Sequence, residues 1–404
     1  MGALRKSVQD ESKVVSATEK ARALREWLQK EASRIESEKR IPDDVVERLV
    51  EHDLFRMTQP SRFGGLGYTP RQAWEAVFEV ARGCGSSAWV IGLNAANVLM
   101  LSKFSEQVQQ EIFLNGKPAI VSMLTGGVGM DITAERADGG VLLSGRWRYA
   151  SGIDIASWVG LLVPVRHQAT GAPELAVLLV PQEAFSIDHS SWNVLGMRGT
   201  GSKDITLKPT FVPEHRWLGW AELQAGRKHP KCPNNEPLYD YPLNSVFALS
   251  VLAPLIGVAS AVAEEFCSVV KTRVNGVTQV RQRDEKYAQV EVARGEATMS
   301  LLRQILLDDS DLVLEIVKTG RQPTPDERAA VRMRIAVSAG MALSAAQKMF
   351  SAMGGSLLPS GSRAERLFRD LHSMSSHLLL QPEIIGEAYG RLLLGLELPE
   401  GARL

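Results

Sequence analysis

Cysteine is scarce in this chain: Cys84, Cys232 and Cys267 are the only three in 404 residues, and none stands in CxxC or Cys/His ligand spacing. An odd number without such spacing argues against a disulfide framework and a structural zinc site, and leads us to expect a reduced, cytoplasmic setting. A charge surplus is also missing. Lys plus Arg and Asp plus Glu both number 46, so no basic excess draws the protein to nucleic acid or an anionic membrane. The opening MGALRKSVQDESKVV lacks the apolar core of a secretory signal. One long uncharged run exists, the eighteen residues Val246 to Ala263. Pro254, Gly257 and the Glu264-Glu265 pair that follows mark it as a buried bundle helix rather than a membrane span. Nucleotide motifs are absent too: the three-glycine loop LGMRGTGSKD at 195–204 meets neither GxxxxGK[ST] nor a GxGxxG between strand and helix.

What is present is a chain with 45% hydrophobic residues, enough for a substantial core. Apolar residues at helical spacing predict helices over 17–35, 45–57, 70–82 and 86–101, the last nearly uncharged and interrupted by Asn94 and Asn97. From about Ala119 the pattern changes to short β-rich runs at 120–124, 141–149, 158–165, 175–180 and 204–212, the spacing of a small barrel or sandwich. Residues 216–243 read as a long connection of the kind that forms a lid or binding loop. Helical patterns over 246–263, 287–318, 325–353 and 364–376 then suit a four-helix bundle. The expected fold is mainly α with a central β-barrel, in three domains: an N-terminal helical domain at 1–118, a middle β-barrel at 119–214 and a C-terminal helical bundle at 215–404.

Two stretches carry chemistry. In GRWRYASGIDIASW at 145–158, period-two alternation ends at Tyr149, and Ser151-Gly152 makes a turn, leaving a small hydroxyl between aromatic residues. Such a site suits a flat, mostly apolar ligand with one polar edge. In MGGSLLPSGSRAERLFRDLHSMSSH at 353–377, Arg366, Arg369 and Asp370 share a helix side, and His377 falls at the helix end, where the dipole favours its protonated form. Arg369-Asp370 reads first as a structural ion pair.

Taken in order, GRWRYASGIDIASW, LGMRGTGSKDI and MGG…RAERLFRDLH give residues 15–395 a resemblance to the acyl-CoA dehydrogenase superfamily. Where the dehydrogenases carry a pattern like Tyr-Glu-Gly-Thr with a catalytic carboxylate, this chain has Ser375, Ser376, His377 and Leu378. The serine and histidine instead resemble the flavin-dependent monooxygenase branch, the oxygenase components of two-component systems. That resemblance implies reduced FAD or FMN delivered by a separate flavin reductase, O2, a C4a-hydroperoxyflavin, and hydroxylation of an aromatic substrate. It places Ser151 on the flavin N5 edge beside Tyr149, and His377 near the peroxide. It also places Arg273 on a flavin phosphate, with a plain surface cation as the alternative, and Gly354 and Gly355 against the cofactor across a subunit contact of a homotetramer. Asn94 and Asn97 stand where phenol hydroxylases of this branch carry a histidine, which turns the expectation toward indole-like or fused-ring substrates; His372 is a further substrate-binding candidate. An acyl-CoA dehydrogenase-type flavoenzyme, an N-hydroxylase of an amine and a non-catalytic helical assembly protein are the alternatives.

Overall fold

The computed structural model describes residues 16–114, 118–124, 130–166, 173–354, 359–399, 402 and 404. Among the described residues five α-helices come first: α1 (Ala17–Glu38), α2 (Asp43–Glu51), α3 (Pro70–Ala81), α4 (Gly85–Leu101) and α5 (Glu106–Phe113). Their starts are set by local chemistry. Ser16 and Thr69 each close a capping box with Glu19 and Gln72, satisfying the free amides of a first helical turn.

Eight strands follow: β1 (Val121–Leu124), β2 (Met130–Ala137), β3 (Gly140–Ala150), β4 (Trp158–Arg166), β5 (Pro173–Pro181), β6 (Phe185–Asp188), β7 (Lys203–Pro213) and β8 (Trp217–Gly219). The expected central barrel is not what they build. Among the described residues they form two four-stranded sheets, in the orders β1-β4-β5-β8 and β2-β3-β7-β6, with no closed ring of strands joining them. A barrel needs every edge paired, whereas β1, β8, β2 and β6 end their sheets. Between the sheets lies a core of alternate residues, including Leu143, Trp147, Val159, Leu161, Leu178 and Ile205.

The chain then returns to helix: α6 (Trp220–Gln224), α7 (Leu243–Thr272), α8 (Lys286–Lys318), α9 (Pro325–Met353), α10 (Arg363–Ser375) and α11 (Pro382–Leu393). The long connection expected at 216–243 is ordered around β8, α6 and a buried Tyr239. Its backbone is held from beneath by Lys103, whose Nζ donates to the carbonyls of Gly226 (3.0 Å) and Tyr239 (2.6 Å).

Helix α7 is long and apolar enough to cross a membrane, yet 89% of its most apolar window is buried inside the protein. It is the axis on which α3, α4, α8, α9 and α10 pack. Pro254 cannot donate to the carbonyl four residues earlier. That carbonyl, on Ser250, faces Gly92 of α4, where an added Cβ would lie only 2.8 Å from the oxygen. The missing side chain therefore sets how closely α4 approaches α7, the two helices that wall the cavity described below. Gly92→Ala gains about 1 kcal/mol of helix propensity but forces these helices apart, so we expect a net destabilisation of about 1–2 kcal/mol by urea unfolding; unchanged stability would contradict this close approach.

Candidate active site

A cavity of about 780 Å³ opens where α4, the ends of β1 and β3, the 192–202 loop, the start of α7 and the end of α10 converge. That volume lies within the range of about 300–1,000 Å³ usual for small-molecule sites. Its walls are largely aromatic and aliphatic, with Trp89, Trp147, Tyr149, Trp192, Trp220 and Phe247 among them, and among the described residues three arginines also line it: Arg332, and the partly exposed Arg146 and Arg148, which lie against Asp204. No Asp or Glu lines it among the described residues. Ser151 and His377, 226 positions apart (377 minus 151) in the chain, both line this one cavity.

Ser151 is placed by a break in the strand. Tyr149 (φ 65°) and Gly152 (φ 72°) take the left-handed conformation, which costs a non-glycine residue about 1–2 kcal/mol and turns the chain out of the pleat of β3. Gly152 N then donates to Thr200 O at 2.8 Å, tying the turn to the three-glycine loop. Three hydroxyls continue from there. Thr200 Oγ1 donates to Met197 O (2.8 Å) and lies 2.7 Å from Ser202 Oγ, which lies 2.8 Å from Ser151 Oγ. A hydroxyl has a single proton, and a carbonyl only accepts. With the Thr200 proton committed to Met197 O, Ser202 must donate to Thr200 and Ser151 to Ser202. The Ser151 oxygen is thereby left to offer its lone pairs to the cavity as an acceptor.

The loop that carries this relay is gripped by α10. Asp370 accepts the Met197 N–H at 2.6 Å, and Arg369 donates to Leu195 O at 2.9 Å. The expected Arg369-Asp370 ion pair is not formed, because Arg369 pairs with Glu36 and Glu365 instead. Gly196 lies so close beneath α10 that a Cβ there would be 2.3 Å from Arg369 O. Burial pushes the Asp370 carboxyl up to about 6.

His377 sits just past α10, with its ring 5.3 Å from that of Trp89 and nearly perpendicular to it. Its Nδ1 accepts from Leu379 N at 3.3 Å, which puts the proton of the neutral ring on Nε2. The expectation that the helix dipole holds this histidine protonated is overturned. Burial, aided by the Arg332 cation, lowers its pKa to about 4. The residue is half-buried and lines the cavity.

Other expected site residues fare differently. Tyr149 lines the cavity, 59% exposed. Asn97 does too, with Nδ2 donating to Val121 O (2.6 Å) and a buried Oδ1 that has no partner among the described residues. Asn94 is a correction: it faces away from the lining, accepting from Val121 N (2.8 Å) and donating to Phe55 O (3.3 Å), so it holds β1 against α4. His372 is another. It is absent from the lining, stacks on Phe368 with centroids 4.0 Å apart, and bonds Phe368 O and Gln347. Arg273 and Gly354 are brought together outside the cavity: the guanidinium bonds Met353 O, and a Cβ on Gly354 (φ 72°) would be 3.0 Å from it. Gly355 lies outside the described residues.

Sequence reasoning missed Arg332 of α9, which is 1% exposed and lines the cavity. The signal was its position, since Ala329, Arg332, Ala336 and Ala339 share one buried helical stripe, and a cation stands where the period calls for an apolar residue. It also missed Ser202 and Thr200, whose hydroxyls lie in a loop read for phosphate binding and for family resemblance but not for its hydroxyls.

Two family models match, the acyl-CoA dehydrogenase N-terminal domain over residues 16–117 and the acyl-CoA dehydrogenase C-terminal domain over 249–382. The chain is 29% identical over 370 residues to the "flavin-dependent monooxygenase, oxygenase subunit HsaA" of Rhodococcus jostii strain RHA1, covering 91% of this chain and 95% of that protein. It is 29% identical over 379 residues to the "FADH(2)-dependent resorcinol hydroxylase, oxygenase component" of Rhizobium sp. strain MTP-10005, covering 92% and 91%. The crystal structure of 3-HSA hydroxylase from Rhodococcus sp. RHA1 superposes with a TM-score of 0.87 at 27% identity, covering 95% of this chain and 98% of that one.

The His377 environment has a consequence for stability. Its folded pKa of about 4 lies below the ordinary 6.5, so between those values the unfolded chain binds more protons and acidification favours unfolding. We expect the stability of the ligand-free protein, relative to His377→Gln, to fall as pH drops from about 6.5 to about 4 and to be level above that window, as read by urea unfolding at stepped pH. Parallel profiles for the two proteins would contradict a neutral, desolvated ring.

Proposed function

The chain belongs to the acyl-CoA dehydrogenase superfamily, in its branch of flavin-dependent monooxygenases, and from that premise we propose that the cavity between Ser151 and His377 holds the ring of reduced FAD or FMN beside an aromatic substrate. The protein is the oxygenase component of a two-component system, fed by a separate flavin reductase. The single observation that carries the reading is the convergence of Ser151 and His377 on one aromatic-walled cavity without a carboxylate among the described residues. The same absence tells against an acyl-CoA dehydrogenase, which needs a base to remove a proton from its substrate.

The residues fit a flavin ring. Aromatic walls suit a flat heterocycle, and the unpartnered Asn97 Oδ1 leaves room for one more donor. When bound, reduced flavin supplies the electrons that activate O2 and so the oxygen atom given to the substrate. Ser151, held as an acceptor by Ser202 and Thr200, matches the N5–H of reduced flavin, whereas the N5 of oxidised flavin has only a lone pair. The relay thus favours the reduced cofactor by about one hydrogen bond, roughly 1 kcal/mol. Ser151 would hold the N5 proton of the bound ring, and the tryptophans and Phe247 would limit the water able to take that proton. His377, neutral with its proton on Nε2, can donate that proton and recover it as oxygen is transferred.

Arg273, poised over Gly354 at the end of α7, is assigned the phosphate end of the cofactor, which guanidinium binds well. A homotetramer completes this reading. Leu301, Val337 and Met341 on α8 and α9 are 53%, 44% and 41% exposed and offer apolar area to a second copy.

Supplying reduced flavin from an unrelated reductase and following addition of one oxygen atom to aromatic compounds tests the activity. Ser151→Ala should raise the share of reducing equivalents lost as hydrogen peroxide, and His377→Ala should slow hydroxylation by about a hundredfold while His372→Ala changes it little. In an anaerobic titration Ser202→Ala should shrink the preference for reduced over oxidised flavin by about fivefold. Coupling and flavin preference like the wild type in all three active-site variants would remove these roles.

A further inference from the structure

Four cationic side chains are buried among the described residues: Lys103, Lys203, Arg332 and Arg366. Three of them are satisfied. Lys203 pairs with Asp154 at 2.7 Å, Lys103 donates to two carbonyls at 3.0 and 2.6 Å, and Arg366 donates to Ser33 at 2.8 Å. Arg332 differs. Its Nε and Nη1 have no hydrogen-bond partner among the described residues, and Nη2 reaches only Leu379 O, at 3.5 Å. Among the described residues no ion pair includes it, and no carboxylate lines the cavity it faces.

A guanidinium cannot escape such a site by losing its proton as a lysine can. Desolvation lowers the Arg332 pKa only to about 10, which leaves it charged at neutral pH. Leaving a buried charge unpaired is unfavourable, and the penalty is relieved when a counter-anion enters. We propose that Arg332 is the anion-recognition residue of the cavity and that the substrate is an aromatic carboxylic acid, its ring among Trp89, Phe247 and Leu243 and its carboxylate on the Arg332 guanidinium. This rests on the oxygenase reading above and narrows its substrate class.

The cation also keeps its neighbour in the right state. In the ligand-free cavity the Arg332 charge favours the neutral form of His377, and a carboxylate docked on Arg332 would offset that effect. Substrate charge and catalytic imidazole are thus read by the same side chain. The same donors could instead serve the negative charge of a reduced flavin ring, and the test has to separate the two sources.

Matched acid and amide ligands do so: phenylacetate against phenylacetamide, and indole-3-acetate against indole-3-acetamide, titrated anaerobically by tryptophan fluorescence into protein saturated with reduced flavin. The wild type should bind each acid about tenfold to a hundredfold more tightly than its amide, the worth of a charge-assisted hydrogen bond. Arg332→Gln should bring acid and amide within about twofold of one another, with amide affinity and reduced-flavin affinity little changed, and Arg332→Lys should recover part of the preference. Removing an unpaired charge should leave the melting temperature of the ligand-free Arg332→Met protein equal or raised. Equal acid and amide binding by the wild type, or binding of none of the four, overturns the proposal while leaving flavin binding and oxygenation intact. Loss of reduced-flavin affinity in Arg332→Gln with the acid preference retained also overturns it, and assigns the cation to the cofactor. A lowered melting temperature with acid preference unchanged overturns it in favour of a structural role. Failure of the wild type to bind reduced flavin or to oxygenate any aromatic compound would instead count against the broader functional reading.

Discussion

The hydrogen bond from Met197 N to Asp370 Oδ1 joins the two halves of the molecule at the place where the chemistry has to be built. It fastens the 194–203 loop, which leads into the sheets, to a helix of the C-terminal bundle. Everything downstream inherits its position: Met197 O fixes the proton of Thr200, Thr200 orients Ser202, and Ser202 decides that Ser151 accepts rather than donates. A carboxylate some 170 residues from the loop (370 minus 197 is 173) thus sets the polarity of a hydroxyl at the end of a strand. The bond is made in a dry place, which is why the carboxyl is raised and why water does not compete for the amide.

That dependence explains which parts of the fold were legible in the chain. Long elements with one buried face announced themselves, and α1, α3, α4, α8 and α9 lie close to where their apolar spacing put them. Short elements did not. The four-residue β6, the three-residue β8 and the five-residue α6 bury too few side chains to leave a period, and the long connection that holds β8 and α6 read as loop. Barrel and paired sheets share the same alternation along each strand, so closure is decided by which edges meet and not by the pattern.

The candidate site was legible where a residue type breaks its surroundings. Ser151 stood between aromatics, and a histidine replaced the expected carboxylate after Arg369-Asp370. Asn94 and Asn97 both interrupt an apolar helix, yet the sequence could not tell which one held a strand and which faced the cavity. They bracket the same peptide groups of Val121, and only the remaining free oxygen of Asn97 distinguishes them. His372 and His377 were separable only in space. One lies on a helix side against Phe368, and the other beyond the helix end, where the chain turns inward. Arg332 shows the limit most clearly, because α9 carries arginines at 328, 332 and 334, and only packing tells which of them is sealed from solvent.

Seen together, the described residues give the cavity a consistent electrostatic character: a hydroxyl held as acceptor, a neutral imidazole, an unpaired guanidinium and, among those residues, no carboxylate. Such a site favours a flavin ring that offers an N–H to Ser151 beside a second ligand that brings negative charge to Arg332, and disfavours proton abstraction. The most direct measurement is a crystal structure of the protein grown anaerobically with reduced flavin. The account predicts the ring in the cavity with its N5 within hydrogen-bond distance of Ser151 Oγ and His377 at the ring's oxygen-reactive side. A ring bound elsewhere, or bound in the cavity touching neither residue, would contradict it.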